Sequence, residues 1–350
     1  MQPKPAIWFP TVRTGTGTDV FTERLVKGLN EQGIKAEITW LPLRAEYAPW
    51  TVKAPEPPNW ATVVHVNTWL HSRFLPKHLP IVATLHHSIH DPALHPYKGW
   101  LRAAYHRWWI APNERRVLRR ADLVTAVSQF VADMARKTLC DVPMQVIYNG
   151  VDTELFRPGN RVRQPGESFR LLYVGSWMAR KGVDLLAPIM RELGDGFELY
   201  YTGGSAAEKD KKHMPDNMHD LGRLNQQKVI EFMQNSDAFL FLSRSEGFGL
   251  VAAEAMACGL PVIAMSGTAV DEVVQHGGNG YLCDDKQPQD LAQMVRETSS
   301  SWPQLRQAAR ARVCDRFDYD SMLAGYSALY ERLLPQSQTD TNNNFIKAKP

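Results

Sequence analysis

The sequence predicts an α/β protein built from two Rossmann-like domains, and two observations carry this prediction. The chain has 350 residues, which is enough for two hydrophobic cores. Each half also begins with a short apolar segment, at residues 6–12 and 169–174, that is followed by a glycine-containing loop and an amphipathic segment. Strand, glycine loop and helix in this order open a doubly wound parallel sheet. We therefore expect domains at residues 1–160 and 169–318, joined by the polar stretch 161–168.

Composition and charge narrow the class of protein. The chain is 44% hydrophobic and 22% charged, as globular proteins are, and it contains no long apolar run. We therefore expect a cytoplasmic protein without a signal peptide or a membrane span. The four cysteines form no Cys-x-x-Cys pair and are expected to stay reduced. Residues 1–150 hold 18 Lys and Arg against 11 Asp and Glu, and the remainder holds 22 against 26. The basic first half is therefore expected to meet an anionic partner, either a membrane surface or a nucleic acid.

The first half opens with a strand–loop–helix–strand unit. Its loop, RTGTGTD at 13–19, contains Gly15 and Gly17, where backbone can approach a ligand closely. Apolar residues at helical spacing follow at 20–33, and a second strand is predicted at 35–43. A lone Gly-x-Gly is weak evidence of a binding site, because many strand–helix turns need one for steric reasons alone.

Histidines follow the strand that is predicted at 81–85. This strand ends at His86 and His87, and open α/β sheets bind ligands at the carboxyl ends of their strands. Eight of the eleven histidines lie between His65 and His106. A zinc site is the alternative interpretation, but no Cys or Glu stands at ligand spacing, so we expect no metal.

The segment 96–120 is aromatic and basic. Tryptophan and tyrosine beside lysine and arginine suit a lipid headgroup interface, where rings bury part-way and cations meet anionic lipid. A helix with aromatic residues in the core and solvated arginines explains the pattern equally well. Base stacking on the rings would suit a nucleic acid, but no nucleic-acid-binding motif accompanies the segment. We therefore expect no nucleic-acid partner.

The most informative stretch lies in the second half. Two apolar runs at 238–242 and 261–265 predict buried strands, and an Ala-rich segment between them predicts a short buried helix. The turn SEGFG at 245–249 leads into this helix, and a helix N-terminus offers free amide groups and a favourable dipole to an anion. Two carboxylates, Glu246 and Glu254, flank the predicted phosphate cradle.

The segment EGFGLVAAE at 246–254 resembles the E-x7-E motif of the GT4 family. GT4 enzymes are retaining glycosyltransferases with the GT-B fold, in which two Rossmann-like domains face each other across a cleft. The resemblance implies that Glu254 binds the nucleotide ribose and that Glu246 contacts the donor sugar near the reacting carbon. The backbone amides after the first Glu face the sugar and the diphosphate in that family. This implies donor binding by Gly247, Phe248, Gly249 and Leu250.

The segment GSWMARKG at 175–182 resembles the family's G-R-x-x-x-x-K-G loop, whose two cations neutralise the donor diphosphate. Lys181 matches the lysine, and Gly175 matches the first glycine. The usual arginine is replaced by Ser176, and Arg180 could supply the missing charge. The following strand ends at Gly203, and a short edge strand ends at Leu221 near where relatives bind the base. These residues complete the expected donor site.

Other segments match the family in the expected order. ATLH at 83–86 is similar to the T-x-H strand end, whose histidine points at the acceptor and the donor sugar, and NGVD at 149–152 is similar to the end of the first domain. NGYL at 279–282 resembles a later family segment. The amphipathic stretch 319–334 is expected to return to the first domain as a helix, and 335–350 to form a disordered tail. The acceptor-side residues implied are Gly15, Thr16, Gly17, His86 and His87.

The resemblance implies a retaining transferase that uses a nucleotide-diphosphate sugar, expected to be a UDP-sugar, and needs no metal or other cofactor. His86, Glu246 and Lys181 are the implied catalytic residues. The expected acceptor is a glycan or lipid-linked sugar of envelope polysaccharide or lipopolysaccharide, reached from the inner membrane face. The alternatives are a small soluble acceptor or a non-catalytic protein that binds nucleotide sugars. An oxidoreductase is disfavoured because the G-x-G-x-x-G fingerprint is missing.

Overall fold

The structure is a computed structural model that describes residues 4–284 and 287–334. Within these residues, the chain forms two parallel sheets of six strands each, with the strand orders β2-β1-β3-β4-β5-β6 and β12-β11-β10-β7-β8-β9. The first sheet comprises β1 (Ile7–Val12), β2 (Ala36–Leu41), β3 (Val63–Asn67), β4 (Ile81–Leu85), β5 (Leu123–Ala126) and β6 (Gln145–Val146). The second comprises β7 (Phe169–Tyr173), β8 (Phe197–Tyr201), β9 (Met218–Asp220), β10 (Ala238–Phe241), β11 (Val262–Met265) and β12 (Gly280–Cys283).

Helices cover the sheets and connect the parallel strands. Those of the first half are α1 (Gly17–Glu31), α2 (Arg44–Tyr47), α3 (Trp100–Tyr105), α4 (Ala111–Arg120) and α5 (Gln129–Thr138). Those of the second half are α6 (Val183–Leu193), α7 (Gln226–Asn235), α8 (Leu250–Ala257), α9 (Val270–Val273), α10 (Pro288–Ser300), α11 (Trp302–Arg316) and α12 (Tyr319–Glu331). No helix in the described ranges combines the length and apolar character that crossing a bilayer requires.

The predicted two-domain α/β architecture is confirmed. The central strands are buried on both faces, as β4 and β10 are along their whole length, which is why their sequences are continuous apolar runs. All strands of β1–β6 lie within residues 1–160, and those of β7–β12 lie within 169–318. We retain these ranges as the proposed domain boundaries. The expected tail, 335–350, lies outside the described residues.

The aromatic and basic segment does not form one regular helix. A 3-10 helix (Pro92–Tyr97) precedes α3, and a π-helical turn (His106–Ile110) joins α3 to α4. Of its large side chains, Trp100 and Trp108 are 78% and 72% exposed. The sequence left core and surface placements of these rings equally open, and the exposure of these two excludes a purely internal role.

The chain returns from the second half to cover the first sheet. Along α12, Tyr326 and Tyr330 are fully buried among residues of β1, β3 and α1. The Tyr330 hydroxyl lies 2.6 Å from Nδ1 of His65, whose Nε2 lies 2.7 Å from the Thr84 hydroxyl. This buried polar chain fixes the helix on the sheet because each of its buried groups has a partner. The carboxyl end of the described chain is thereby anchored to the first domain.

Direct hydrogen bonds also join the two halves beside the cleft. The Ser128 hydroxyl caps α5 and donates to the carbonyl of Gly247 at 2.7 Å. The carboxylate of Glu272 accepts the backbone amides of Gln129 and Phe130 at 2.9 and 2.7 Å. An acidic side chain at a helix N-terminus is stabilising, so the second half supplies part of the cap of a first-half helix. The contacts bring the carboxyl ends of the two sheets together.

Candidate active site

The turn between β10 and α8 forms the floor of the site on the second domain. The first intrahelical donor of α8 is Ala252, which bonds the carbonyl of Gly249 at 2.9 Å. The amides that precede Ala252 are therefore free of intrahelical bonds and available to a ligand. The Phe248 side chain is buried between Tyr148 and Phe317. Any contact of Phe248 with a donor must therefore come from its backbone.

Lys181 is placed against this turn by the glycine that follows it. Gly182 has φ +75° and lies so close to the backbone of Leu242, just beyond β10, that a side chain would overlap it. The close approach lets the Lys181 ammonium form an ion pair with Glu246. Burial acts to raise the pKa of the Glu246 carboxyl, but the Lys181 charge, with the Ser243 hydroxyl, lowers it below its ordinary value. Glu246 is therefore an ionised carboxylate beside a cation.

The second cation of this loop is Arg180. Its guanidinium donates to the carbonyl of Ser245 at 2.9 Å and faces the crevice that Glu246 also lines. Ser176 stands where relatives have arginine, and it is exposed with its carbonyl bonded to the Tyr173 hydroxyl. The structure thus brings Arg180, but not Ser176, to the crevice.

The first domain presents His86 to the same crevice. Its Nε2 lies 2.8 Å from Oδ1 of Asn67, and its ring contacts Phe21 edge-on at 4.6 Å between centroids. Desolvation lowers the pKa of His86 to about 3 and that of His87 to about 4. Both imidazoles are therefore neutral at physiological pH, so they can offer hydrogen bonds but not a positive charge.

The two domains touch where Gly247 meets His86. A Cβ atom at position 247 would overlap the carbonyl oxygen of His86. The donor-side turn can therefore reach the end of β4 only because residue 247 has no side chain. This contact sets the separation between Glu246 and His86 across the crevice.

Glu254 is held by a residue of the other domain. Both terminal nitrogens of the Arg24 guanidinium, on α1, lie 3.2 Å from Oε1 of Glu254. Burial raises the pKa of the Glu254 carboxyl, and Arg24 opposes this effect. The carboxylate expected to bind ribose is thus paired across the cleft, and a nucleotide that bonded to it would share or replace this contact.

The crevice between the domains has a volume of about 280 Å³. It brings together predicted residues of both domains. These are Thr16, Gly17, His86, His87, Arg180, Glu246, Gly247, Phe248, Gly249 and Leu250. Lys181 and Glu254 do not line it directly. Lys181 contacts the lining residue Glu246, and Glu254 contacts the lining residue Arg24.

Four predicted donor residues lie on neighbouring loops rather than in the crevice. Gly175 and Ser176 follow β7, and the amide of Gly175 bonds the Thr202 hydroxyl at 3.0 Å. Gly203 follows β8, and its amide bonds the Asp220 carboxylate at 3.0 Å. Leu221 follows β9. Gly15, on the acceptor side, also lies outside the crevice, and its amide bonds the Asp19 carboxylate at 2.7 Å.

Sequence reasoning missed several residues that the structure places at the site, among them Asn67 and Arg24. Asn67 is the last residue of β3, so the rule that strand carboxyl ends bind ligands could have identified it. Arg24 lies on the surface-directed part of an ordinary amphipathic helix, and its spacing gives no indication that it meets Glu254.

Two family models match most of the chain. The model described as "Glycosyltransferase Family 4" matches residues 38–155, and the model described as "Glycosyl transferases group 1" matches residues 160–312. The chain belongs to the family 4 glycosyltransferases. The first match ends at residue 155 and the second begins at residue 160, between β6 and β7, so each domain of the chain is matched separately.

Curated relatives of this chain are also named as sugar transferases. Over 219 residues the chain is 29% identical to an uncharacterized glycosyltransferase of Methanocaldococcus jannaschii. This alignment covers 61% of this chain and 60% of that protein. Over 231 residues the chain is 28% identical to the GDP-mannose:cellobiosyl-diphosphopolyprenol alpha-mannosyltransferase of Xanthomonas campestris. This alignment covers 62% of this chain and 60% of that protein. The matched region thus spans about three fifths of these two relatives.

Solved structures share the fold. Sucrose-phosphate synthase from Thermosynechococcus elongatus superposes with a TM-score of 0.76 at 19% identity, over 93% of this chain and 98% of that one. Anabaena HepE in complex with UDP superposes with a TM-score of 0.73 at 18% identity, over 93% of this chain and 100% of that one. WaaG, a glycosyltransferase involved in lipopolysaccharide biosynthesis, superposes with a TM-score of 0.67 at 17% identity, over 93% of this chain and 99% of that one. The two-domain GT-B fold implied by the sequence is therefore confirmed.

Proposed function

We propose that the protein is a retaining glycosyltransferase that moves a sugar from a nucleotide-diphosphate sugar to a glycan or lipid-linked acceptor. One observation carries the proposal. Glu246, which is paired with Lys181, lies beside the free amides of the β10–α8 turn and lines the same crevice as His86. Cation, amides and carboxylate are the groups that a sugar diphosphate needs around its leaving bond. We infer retention of configuration from the E-x7-E motif.

The site residues would act on the charges that develop in the reaction. Breaking the anomeric bond leaves positive charge on the sugar and negative charge on the departing diphosphate. Lys181, Arg180 and the amides before Ala252 would stabilise the diphosphate. The ionised Glu246 would hold Lys181 in place and lie beside the positively charged sugar. The acceptor hydroxyl would attack from the side that the diphosphate leaves, with a phosphate oxygen taking its proton. We propose that this needs no metal.

The donor that we propose is a UDP-sugar. This choice is supported by HepE, whose structure with UDP shares the fold, while the Xanthomonas relative is named for GDP-mannose. The same site could serve either nucleotide, because the groups that we assign contact the diphosphate and ribose rather than the base. Leu221 and Gly203, after β9 and β8, remain our candidates for the base end.

A panel of donors tests the transferase proposal. The purified protein is incubated with UDP-glucose, UDP-galactose, UDP-N-acetylglucosamine, GDP-mannose and ADP-glucose plus a mixture of octyl glycosides, and free nucleotide diphosphate is measured. We expect release from at least one donor, faster with a UDP-sugar, and a loss of about 100-fold in Glu246→Ala. Nucleotide binding without release from any donor would favour the non-catalytic alternative. Inversion of the anomeric centre in the product would contradict retention.

We propose further that the first domain docks on an anionic membrane, where it would meet a lipid-linked acceptor of envelope polysaccharide or lipopolysaccharide. Four large apolar residues of the first domain, Trp50, Trp100, Leu101 and Trp108, are between 66% and 78% exposed. Trp50 contacts Trp109 at 6.1 Å, which links it to the π-helical turn. Arg102 and Arg107 are exposed beside these rings, as lipid headgroup binding would require.

Vesicle co-sedimentation at low salt tests this docking. Vesicles with anionic lipid should retain more protein than neutral vesicles, and the Trp100→Ser/Trp108→Ser variant should bind them about 30-fold more weakly, since two rings at about 1 kcal/mol each contribute about 2 kcal/mol when they are buried part-way. Val162→Ser is the control, because Val162 is 73% exposed but lies between the domains. Equal retention by neutral and anionic vesicles would contradict the membrane proposal, and a soluble acceptor would then be favoured.

A further inference from the structure

A second cavity opens in the first domain beside His86. This cavity, the threonine pocket, has a volume of about 300 Å³ and shares Thr16, Thr18, His86 and His87 with the crevice between the domains. Five threonines, Asn67 and Glu46 supply polar groups to its wall, and Trp69 and Leu43 supply apolar surface. None of the described residues that line it is Lys or Arg. It is therefore a small and mostly apolar pocket whose polar groups include threonine hydroxyls and one carboxylate, with no Lys or Arg among its described lining residues.

The wall of the pocket is held rigidly from behind by two polar residues of α4. The Asn113 amide donates to the carbonyls of Trp69 and Leu70 at 3.3 and 3.1 Å. The Glu114 carboxylate, itself only 1% exposed, accepts the Thr68 hydroxyl at 2.8 Å. Buried polar groups with such partners fix the loop that follows β3. The pocket is thus formed before any ligand binds.

Glu46 is oriented by its neighbours. The Tyr105 hydroxyl donates to its carboxylate at 3.1 Å, and the Trp109 ring nitrogen donates to its carbonyl at 2.9 Å. Burial raises the pKa of the Glu46 carboxyl, and the Tyr105 bond opposes this shift. The remaining lone pairs of the carboxylate can accept hydroxyl groups from a ligand in the pocket.

Part of the glycine loop beside the pocket is occupied by a carboxylate of the protein itself. The carboxylate of Asp19 already accepts the backbone amides of Thr14 and Gly15, at 2.9 and 2.7 Å, together with the Thr14 hydroxyl at 2.9 Å. A glycine loop at a helix N-terminus would otherwise be a favourable phosphate site. Here the protein's own carboxylate takes the amides of Thr14 and Gly15, so a phosphate bound to these amides would have to displace Asp19.

Three cations of the segments around the pocket are engaged outside it. Lys98 bonds the carbonyl of Ile89, Arg180 bonds the carbonyl of Ser245, and Lys181 pairs with Glu246. The last two belong to the donor-side wall, where we assign them to the diphosphate. They are therefore not free to neutralise a second phosphate on the acceptor.

We propose that the threonine pocket binds an uncharged sugar ring of the acceptor, and that Glu46 discriminates against sugars that carry a phosphate on that ring. This inference rests on the proposed transferase function. The hydroxyls of a neutral ring match the carboxylate, the amide and the threonine hydroxyls of the wall, while the Trp69 ring offers apolar surface. A phosphate would meet the Glu46 carboxylate in a wall whose described lining contains no Lys or Arg, and repulsion of this kind excludes a competing ligand effectively.

Matched acceptor pairs test the inference. Octyl glucoside, galactoside and mannoside, and the 6-phosphate of each, are supplied with the donor that releases nucleotide in the donor panel, and kcat/KM is measured for every acceptor. We expect at least one neutral glycoside to be used tenfold or more better than its phosphate. Glu46→Gln should reduce this ratio severalfold by improving use of the phosphate. Glu37→Gln, which removes an exposed carboxylate on β2, should leave the ratio unchanged.

The outcomes separate the inference from the function on which it rests. Faster transfer to the phosphates, or a ratio that Glu46→Gln leaves unchanged, overturns the inference but leaves the transferase function intact. If no octyl acceptor is used, saturation-transfer NMR of the same pairs on the UDP-loaded protein decides. Binding of the neutral glycosides alone supports the inference, whereas binding of the phosphates, or of neither member, contradicts it. Absence of both nucleotide binding and release in the donor panel contradicts the proposed function itself.

Discussion

Replacing Lys181 by Met should lower kcat about 100- to 1,000-fold, the cost of removing one preorganised group that stabilises developing negative charge. Met keeps the length of the side chain but removes the charge that faces the departing diphosphate. It also removes the partner that keeps the pKa of the buried Glu246 carboxyl low. Steady-state release of nucleotide diphosphate from the best donor measures the effect.

A matched control separates this effect from a general loss of positive charge. Lys212 is exposed on the same domain, so Lys212→Met should keep kcat within about twofold, as a surface substitution does. Unfolding temperatures of both variants show whether the fold is intact. A well-folded Lys181→Met variant with unchanged kcat would remove Lys181 from the catalytic residues.

Gly247→Ala should lower kcat about 100-fold, even though the substitution adds a single methyl group. The new Cβ would overlap the carbonyl oxygen of His86, so either the turn or the whole second domain must move away from the first. A displacement of about 1 Å between reacting groups can cost about 100-fold. The rate of nucleotide release at saturating donor measures the loss.

Gly196→Ala is the control for the added methyl group. A Cβ at position 196 meets no other atom within 4 Å, so we expect wild-type kcat from this variant. If Gly247→Ala also kept its rate, the contact between this turn and the end of β4 would not set the geometry of the reaction.

Much of the fold was predictable because it depends on local patterns. Apolar runs such as 81–85 and 238–242 correspond to strands that are buried on both faces, so hydrophobicity alone identified them. The apolar run 81–85 ends at His86, and the carboxyl-end rule together with the T-x-H resemblance then indicated this histidine. Such inferences need no knowledge of which residues meet across the cleft.

Contacts between domains were not predictable from the sequence. Arg24 meets Glu254 over a separation of 230 positions, and nothing in the spacing of either residue indicates the pair. Glu46 is likewise inconspicuous in the sequence, because its role depends on Tyr105 and Trp109 from a distant segment. Phe248 shows the opposite difficulty, since its side chain packs in the core while only its backbone remains available to a donor.

The departure at Ser176 shows what the structure adds to a motif. The sequence left open whether Arg180 replaces the family's arginine, because the direction of its side chain was unknown. The bond from Arg180 to the carbonyl of Ser245 directs its guanidinium toward the crevice. We therefore propose Arg180 as the second cation that faces the diphosphate.

A crystal structure of the protein with bound UDP would test most directly whether a nucleotide diphosphate is held between the two domains. We predict phosphate oxygens within hydrogen-bonding distance of the Lys181 ammonium and of the amides at 247–250, with the ribose hydroxyls on Glu254. UDP seated at the 13–19 loop, or at any place where its phosphates contact neither Lys181 nor the β10–α8 turn, would contradict this assignment.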